Sequence, residues 1–258
     1  MEGHTDFSNN VEKVCVIGLG EIGSGLLKEL HLRGAEVTGV DIDIDKCNNL
    51  NARGYKTMPC FMGGQDVYII CVYTTKQVIE AVEDIDTSNN PLVIIESTIE
   101  PGTYQKLLST GLDIALFPHR FNPNDPEHAY FNIDRVIGGT PQGVGRAITF
   151  YEKYIPAKYL HVFPASIVEL AKPLENAIRF MEISFAEELR LLCEHLDVDF
   201  NLLRGAVNTK WNIDIKEARE GIGGKCLPKD MEIVRRFFKR SEFLKLAVQV
   251  DKEYKKRI

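Results

Sequence analysis

Three stretches of the sequence carry residue types that could do chemistry. The first is "EGIGGKCLPKD", residues 220–230, which puts Cys226 directly behind Gly223 and Gly224 and between two lysines. A thiol at a helix start beside cationic side chains is favoured as the thiolate, the form that attacks carbonyls. The two glycines allow close approach of a substrate to the backbone. Pro228 suits the first turn of a helix, and Asp230 falls near its start. The plainer alternative is a buried cysteine in a glycine-rich turn. The second stretch, "VELAKPLENAIRF", sets Lys172 and Asn176 four residues apart, one helical turn, with Glu169 on the same side. Such a lysine can exchange protons in an apolar pocket. The same spacing also describes a solvated polar stripe. Pro173 removes the bond to the Glu169 carbonyl and can kink the helix. The third, "VCVIGLGEIGSG", holds Gly18, Gly20 and Gly23 in the spacing of a dinucleotide turn, and "GVDID" places Asp41 23 residues after Gly18. Glu21 and Ile22 would open the helix whose N-terminus favours phosphate charge. Asp41 would accept from the adenosine ribose and repel a 2′-phosphate, so NAD is expected over NADP. The alternative is a structural strand–helix turn with an acidic strand end.

These groups need elements to position them. Strand-like runs at Lys13–Gly18, Glu36–Asp41, Asp66–Val72, Leu92–Ser97, Ile114–Pro118, Arg135–Gly138 and Tyr159–Phe163 alternate with helical patterns at Glu21–Arg33, Thr75–Ile85, Gly102–Ser109 and Gly143–Tyr154. That alternation predicts a parallel sheet covered on both faces, with right-handed crossovers. After Ala165 the strand signal stops. Ser166 is read as the cap of a long helix reaching about Leu196, with Ile167, Leu170, Leu174, Ala177, Ile178, Met181 and Phe185 forming its apolar stripe. Further helices are expected at Asn201–Asn208, Lys229–Lys239 and Ser241–Lys256. The expected fold is α/β: a doubly wound parallel Rossmann sheet over 11–164, then an all-helical domain over 165–258 joined by the long helix. Residues 1–10 are read as a disordered tail.

Composition narrows the function classes. Hydrophobic residues make up 44% and charged residues 26%, the balance of a globular protein with a buried core. The net charge of −6, without a basic block, argues against nucleic-acid binding. The polar N-terminus is no signal peptide, and no apolar run is long enough to span a membrane. The six cysteines are scattered with no CxxC pair, so no zinc site is expected and a reduced, cytoplasmic setting is. Cys15 and Cys71 read as small buried hydrophobes.

Taken together the motifs resemble the NAD-dependent nucleotide-sugar dehydrogenases, the UDP-glucose, GDP-mannose and UDP-N-acetylmannosamine 6-dehydrogenases. The matches run in family order: "VIGLGEIGSGLL", "GVDID", "YIICVYTT", "IIESTIEPGT", "FPHRFNP" with "DRVIGG", "VELAKPLENAIRF" and "GIGGKCLPKD". The resemblance adds Val72, Thr74, Ser97 and Thr98 to the cofactor-facing residues. It implies a four-electron oxidation of a primary alcohol to a carboxylate: hydride loss to NAD, attack of Cys226 on the aldehyde, a second hydride loss giving a thioester, and hydrolysis. Lys172 and Asn176 would stabilise the oxyanion, Asp230 and Thr98 would position water, and Lys210 would contact the sugar from a partner subunit. The Met181, Phe185, Leu189, Leu192 side of the long helix would form a homodimer. Gly223, Gly224, Arg120, Lys172 and Asn176 are expected to meet an anionic substrate, either a nucleotide sugar or something smaller.

Two departures stand out. His119 replaces a family glutamate that serves acid–base and hydrolysis steps. It could act as the base, read a different substrate, or be a surface histidine. The sequence also stops about where relatives begin a third, UDP-binding domain, so a short form is expected: a shortened chain, or a chain for a substrate other than a usual UDP-sugar. Two other functions stay open, a two-electron β-hydroxyacid-type dehydrogenase, which needs no cysteine, and a non-catalytic NAD-binding subunit.

Overall fold

The computed structural model describes residues 12–61, 63–122, 125 and 127–257. The tail expected over 1–10 lies outside them. The chain divides into two compact units, residues up to 170 and residues from 171 onward.

The first unit is built on a sheet of eight strands: β1 Lys13–Ile17, β2 Glu36–Val40, β3 Thr57–Met58, β4 Val67–Ile70, β5 Leu92–Ile95, β6 Asp113–Leu116, β7 Arg135–Gly139 and β8 Leu160–Val162, in the order β3-β2-β1-β4-β5-β6-β7-β8. Five helices accompany it: α1 Glu21–Leu32, α2 Ile44–Ala52, α3 Thr75–Glu83, α4 Thr103–Leu107 and α5 Pro141–Tyr151. The strands β4 (VYII) and β5 (LVII) are buried at every position, as continuous apolar runs must be when helices cover both faces. The order reverses between β1 and β4, where parallel sheets open a crevice for ligands at the carboxyl ends of their strands.

The all-parallel expectation fails at one place. β7 runs antiparallel to β6, Ala115 opposite Gly139 and Leu116 opposite Gly138. A parallel return needs a crossover, usually a helix, and residues 117–134 show none among those described, so the chain folds straight back. The short strand β3 and helix α2 were not anticipated. The segment IDKCNNLNA is too polar to show a clear apolar face, and its start is set by Asp43, whose side chain accepts from the amides of Asp45 and Lys46.

In the second unit α6, Ala165–His195, enters from the first and continues as its longest element, with α7 Phe200–Val207, α8 Cys226–Phe237 and α9 Glu242–Tyr254. Ser166 lies inside the first turn of α6, not at its cap. The apolar stripe is turned outward at most of its positions: Leu174 is 42%, Ile178 51% and Phe185 59% exposed. The buried face carries Ala177 and Phe180, which pack with Ile222, Met231, Leu244 and Ala247. Among the described residues no helix is long and apolar enough to cross a membrane.

Candidate active site

The glycine turn of the first unit has the shape its spacing demands. Gly18 sits at φ +91°, and a Cβ there would meet the Cys71 carbonyl at 2.6 Å; one on Gly23 would lie 1.8 Å from the Gly18 carbonyl. Only glycine allows α1 to pack this close to β1. Gly20 caps α1 with no side chain over the first-turn amides of Glu21 and Ile22, and a Cβ there would meet nothing within 4 Å. Asp41, at the end of β2, accepts from Leu19 N–H at 2.7 Å and from Asp43 N–H at 2.9 Å, with Lys46 Nζ at 3.4 Å. Asp41 is thereby held against the glycine turn with acceptor capacity to spare, so these residues fit a dinucleotide, the pyrophosphate at the α1 N-terminus and the ribose at Asp41. Of the other residues expected to face a cofactor, Ser97 Oγ donates to the carbonyls of Ile70 and Val72, and Thr74 caps α3 through a capping box with Gln77. Ser97 thus fixes the end of β4 and Thr74 the start of α3. Thr98 follows Ser97 at the end of β5 and is half-buried.

A cluster of charges lies buried at the carboxyl ends of β5 and β6. Glu96, Arg135 and Tyr151 are almost wholly enclosed and His119 is only 5% exposed, which removes the surface-histidine alternative. His119 Nδ1 lies 2.6 Å from Glu96 Oε2, and Arg135 Nη2 lies 3.0 Å from the same oxygen. Tyr151 donates its hydroxyl proton to Glu96 Oε1. Arg135 also donates to the Phe117 carbonyl at 2.6 Å and lies 4.0 Å over the Phe117 ring. Burial pushes the Glu96 carboxyl up, but the charges of Arg135 and His119 and the hydrogen bonds from His119 and Tyr151 outweigh it and hold the group at about 2. Arg120, next door, donates to the Asp134 carbonyl at 3.0 Å. Glu96, Arg135 and Tyr151 were not anticipated as site residues. The available signal was a charge set in apolar strand sequence, "LVIIES" and "DRVIGG", where burial demands a partner.

In the second unit the spacing of the sequence motifs becomes a string of contacts. Lys172 Nζ donates to Asn176 Oδ1 at 3.5 Å, and Asn176 Nδ2 donates to Asp230 Oδ2 at 2.6 Å. Asp230, 1% exposed, also has Lys229 Nζ at 3.4 Å from its other oxygen. Asn176 and Asp230 are buried and Lys172 is half-buried, so this is not a fully solvated polar stripe. Cys226 opens α8 itself, three residues before the expected helix start, and is exposed, not buried in a turn. It precedes Asp230 by one helical turn, which places the two on one face of α8.

The loop leading to Cys226 is tied down from behind. Asp251 Oδ1 accepts from Ile222 N–H at 2.7 Å, Lys255 Nζ donates to the Ile222 carbonyl at 2.8 Å, and Tyr254 donates to the Arg219 carbonyl at 2.6 Å. Arg190 donates to the Ala218 carbonyl at 2.9 Å. Past this anchor Gly223 and Gly224 are exposed with open space around them. Lys210 is exposed in the turn after α7 and is not part of the Lys172–Asn176–Asp230 string.

The sheet unit and the helical unit thus define an NAD-binding Rossmann domain followed by a helical domain with a thiol and a hydrogen-bonded Lys–Asn–Asp string. Residues 13–111 match the model of the NAD binding domain of 6-phosphogluconate dehydrogenase. Residues 166–252 match the model of the central domain of the UDP-glucose/GDP-mannose dehydrogenase family. The chain is 27% identical over 279 residues to the UDP-N-acetyl-D-mannosamine dehydrogenase of Methanocaldococcus jannaschii, an alignment that takes in 93% of this chain and 65% of that relative. It therefore spans about two thirds of that relative's length. Among solved structures, the UDP-D-ManNAc dehydrogenase from Pyrococcus horikoshii superimposes with a TM-score of 0.82 at 26% identity, covering 94% of this chain and 68% of that one. The 3-hydroxyisobutyrate dehydrogenase of Mycobacterium tuberculosis shares the fold at 16% identity, TM-score 0.75, over 95% of this chain and 94% of its own.

Proposed function

We propose that the chain is an NAD-dependent dehydrogenase that oxidises a primary alcohol of an anionic substrate, a nucleotide sugar or a smaller relative, to the carboxylate. The observation that carries this reading is the exposed Cys226 at the first turn of α8, one turn from the end of the hydrogen-bonded Lys172–Asn176–Asp230 string. A pure binding subunit needs none of these four residues. The names of the relatives, dehydrogenases of UDP-N-acetyl-D-mannosamine, support an acetamido sugar nucleotide as the first substrate to try.

NAD, when bound, supplies the hydride acceptor. Cys226 adds its sulfur to the aldehyde carbonyl, and Lys172 and Asn176 offer N–H donors to the resulting oxyanion. Oxidation of that adduct leaves a thioester on Cys226, and water cleaves the C–S bond to release the acid and return the thiol. Asp230, fixed by Asn176, orients the water. His119 takes the proton that water gives up. Arg120, Gly223 and Gly224 receive the anionic substrate, and Lys210 acts from a second copy in a homodimer. The outward apolar residues of α6, among them Ile178, Phe185 and Leu192, support that homodimer. Six free cysteines support a reducing, cytoplasmic setting.

Replacing Cys226→Ser tests the reading. The variant is expected to bind NAD and to lose acid formation by at least about 1,000-fold, since a hydroxyl without an adjacent base is a poor nucleophile. Undiminished conversion of the alcohol to the acid would remove the thioester route. Wild-type oxidation that stops after one NADH would favour the two-electron dehydrogenase, and NAD binding without turnover of any alcohol would favour the non-catalytic subunit.

A further inference from the structure

The sheet unit contains a carboxylate that the chemistry above does not use. Glu96 ends β5, and its carboxylate lies 2.6 Å from His119 Nδ1, while the His119 amide donates to the Glu96 backbone carbonyl at 3.1 Å. Two independent bonds therefore fix this histidine to this glutamate, at the strand ends where parallel sheets bind ligands. Arg135 and Tyr151 occupy the remaining acceptor positions of Glu96 at 3.0 Å and through the tyrosine hydroxyl. The Tyr130 ring centroid lies 5.3 Å from that of His119 and Phe121's lies 6.2 Å away, which further limits rotation of the imidazole.

We propose that Glu96 is a positioning residue for His119: its carboxylate holds the proton on Nδ1 and leaves Nε2 as the basic nitrogen of the imidazole. An anionic oxygen at this distance can only accept, so Nδ1 must be the donor. Glu96 stays ionised because Arg135 and His119 overcome the effect of its burial. Among the groups facing the pair are Arg135 from β7, Tyr151 from α5, Tyr130 from the segment between β6 and β7, and Cys71 after β4, whose thiol burial pushes well up and so keeps neutral. None of them offers a second anion to compete for the Nδ1 proton. The carboxylate–imidazole pair orients the base in the same way that a carboxylate orients the histidine in many hydrolytic sites. The proposal rests on the reading of His119 as the acid–base group and adds the residue that sets its tautomer.

The test is a long-range nitrogen–proton correlation spectrum of the uniformly nitrogen-15-labelled full chain, recorded where the imidazole is neutral. The expected result is a single tautomer for His119 with the proton on Nδ1 and a bare Nε2. Glu96→Gln, which keeps the shape and removes the charge, is expected to shift the proton to Nε2 or to produce a mixture. Tyr151→Phe, which leaves the Glu96 charge in place, is expected to keep the proton on Nδ1. A neutral wild-type ring protonated on Nε2 would overturn the proposal, and so would a Glu96→Gln spectrum identical to wild type, because a merely structural Glu96 would leave the tautomer alone. If Glu96→Gln does not fold, the wild-type and Tyr151→Phe spectra still decide. None of these spectra depends on turnover. The acid–base reading fails separately, if His119→Gln turns over substrate at the wild-type rate while the wild-type tautomer is as expected.

Discussion

Glu96 in the sheet unit and Glu187 in the helical unit are both enclosed, 3% and 0% exposed, yet their chemistry points in opposite directions. Glu96 meets Arg135, His119 and Tyr151 and is held at about 2. Neither carboxylate oxygen of Glu187 has a hydrogen-bond partner among the described residues. Burial first and the charge of Asp251 second push it up to about 7, against the pull of Lys255. Equal burial of one residue type thus leaves one carboxyl ionised across the neutral range and the other half-protonated at neutrality; the partners decide. The sheet unit gathers its buried charges into one network around Glu96, in which the carboxylate holds His119. The helical unit keeps its exposed thiol at the start of α8, behind a loop whose anchor, Asp251 and Lys255, shares its charges with Glu187.

The contrast can be broken most forcefully at Arg135. Arg135→Met leaves Glu96 buried without its main counter-charge, and the sheet unit is expected to lose about 3–5 kcal/mol of stability, read by hydrogen exchange of the β4 and β5 amides in urea. No counterpart in the helical unit should produce a loss of that size. Next comes pH. Glu96, lowered from an ordinary 4.5 to about 2, contributes on the order of 3 kcal/mol that is present above 4.5 and is lost as pH falls toward 2. Glu187, raised from 4.5 to about 7, has the opposite sign: its contribution is full below 4.5 and is lost as pH rises through 7. Glu187→Gln is therefore expected to match wild type near pH 4 and to exceed it in stability by up to on the order of 3 kcal/mol above pH 8, measured as urea midpoints at the two pH values. Equal midpoints at both would show that Glu187 does not titrate as its surroundings require. The smallest effect is at the loop. Gly224 has φ +75° with open space where a Cβ would be, so Gly224→Ala is expected to cost about 1 kcal/mol from backbone strain alone. Its larger effect should be on the reaction rate of Cys226 with a thiol reagent.

The parts of the site that were legible in the sequence are the local ones. Gly18, Gly20, Gly23 and Asp41 lie within one strand–helix–strand stretch, and Cys226 with Asp230 within one helical turn, so their spacing alone defines their geometry. Glu96, His119, Arg135 and Tyr151 come from four separate stretches, and no spacing rule joins them; only a charge inside apolar sequence hinted that each needed a partner. The long helix shows a different limit. Periodicity finds a stripe on α6 but does not say which face is buried: Leu174, Ile178 and Phe185 point outward while Ala177 and Phe180 form the core. The antiparallel β7 was hidden for a similar reason, since strand direction depends on the connection and not on the strand's own residues.

The central claim is that Cys226 carries the substrate from aldehyde to acid. Its most direct test is the yield of NADH per molecule of UDP-N-acetylmannosamine consumed by the wild-type chain, with the product identified by mass spectrometry and smaller phosphorylated and carboxylated alcohols run alongside. Two NADH per substrate, a carboxylate product and a mass adduct on Cys226 trapped during turnover are the predicted result. One NADH per substrate, with an aldehyde or keto product and no adduct, would contradict it.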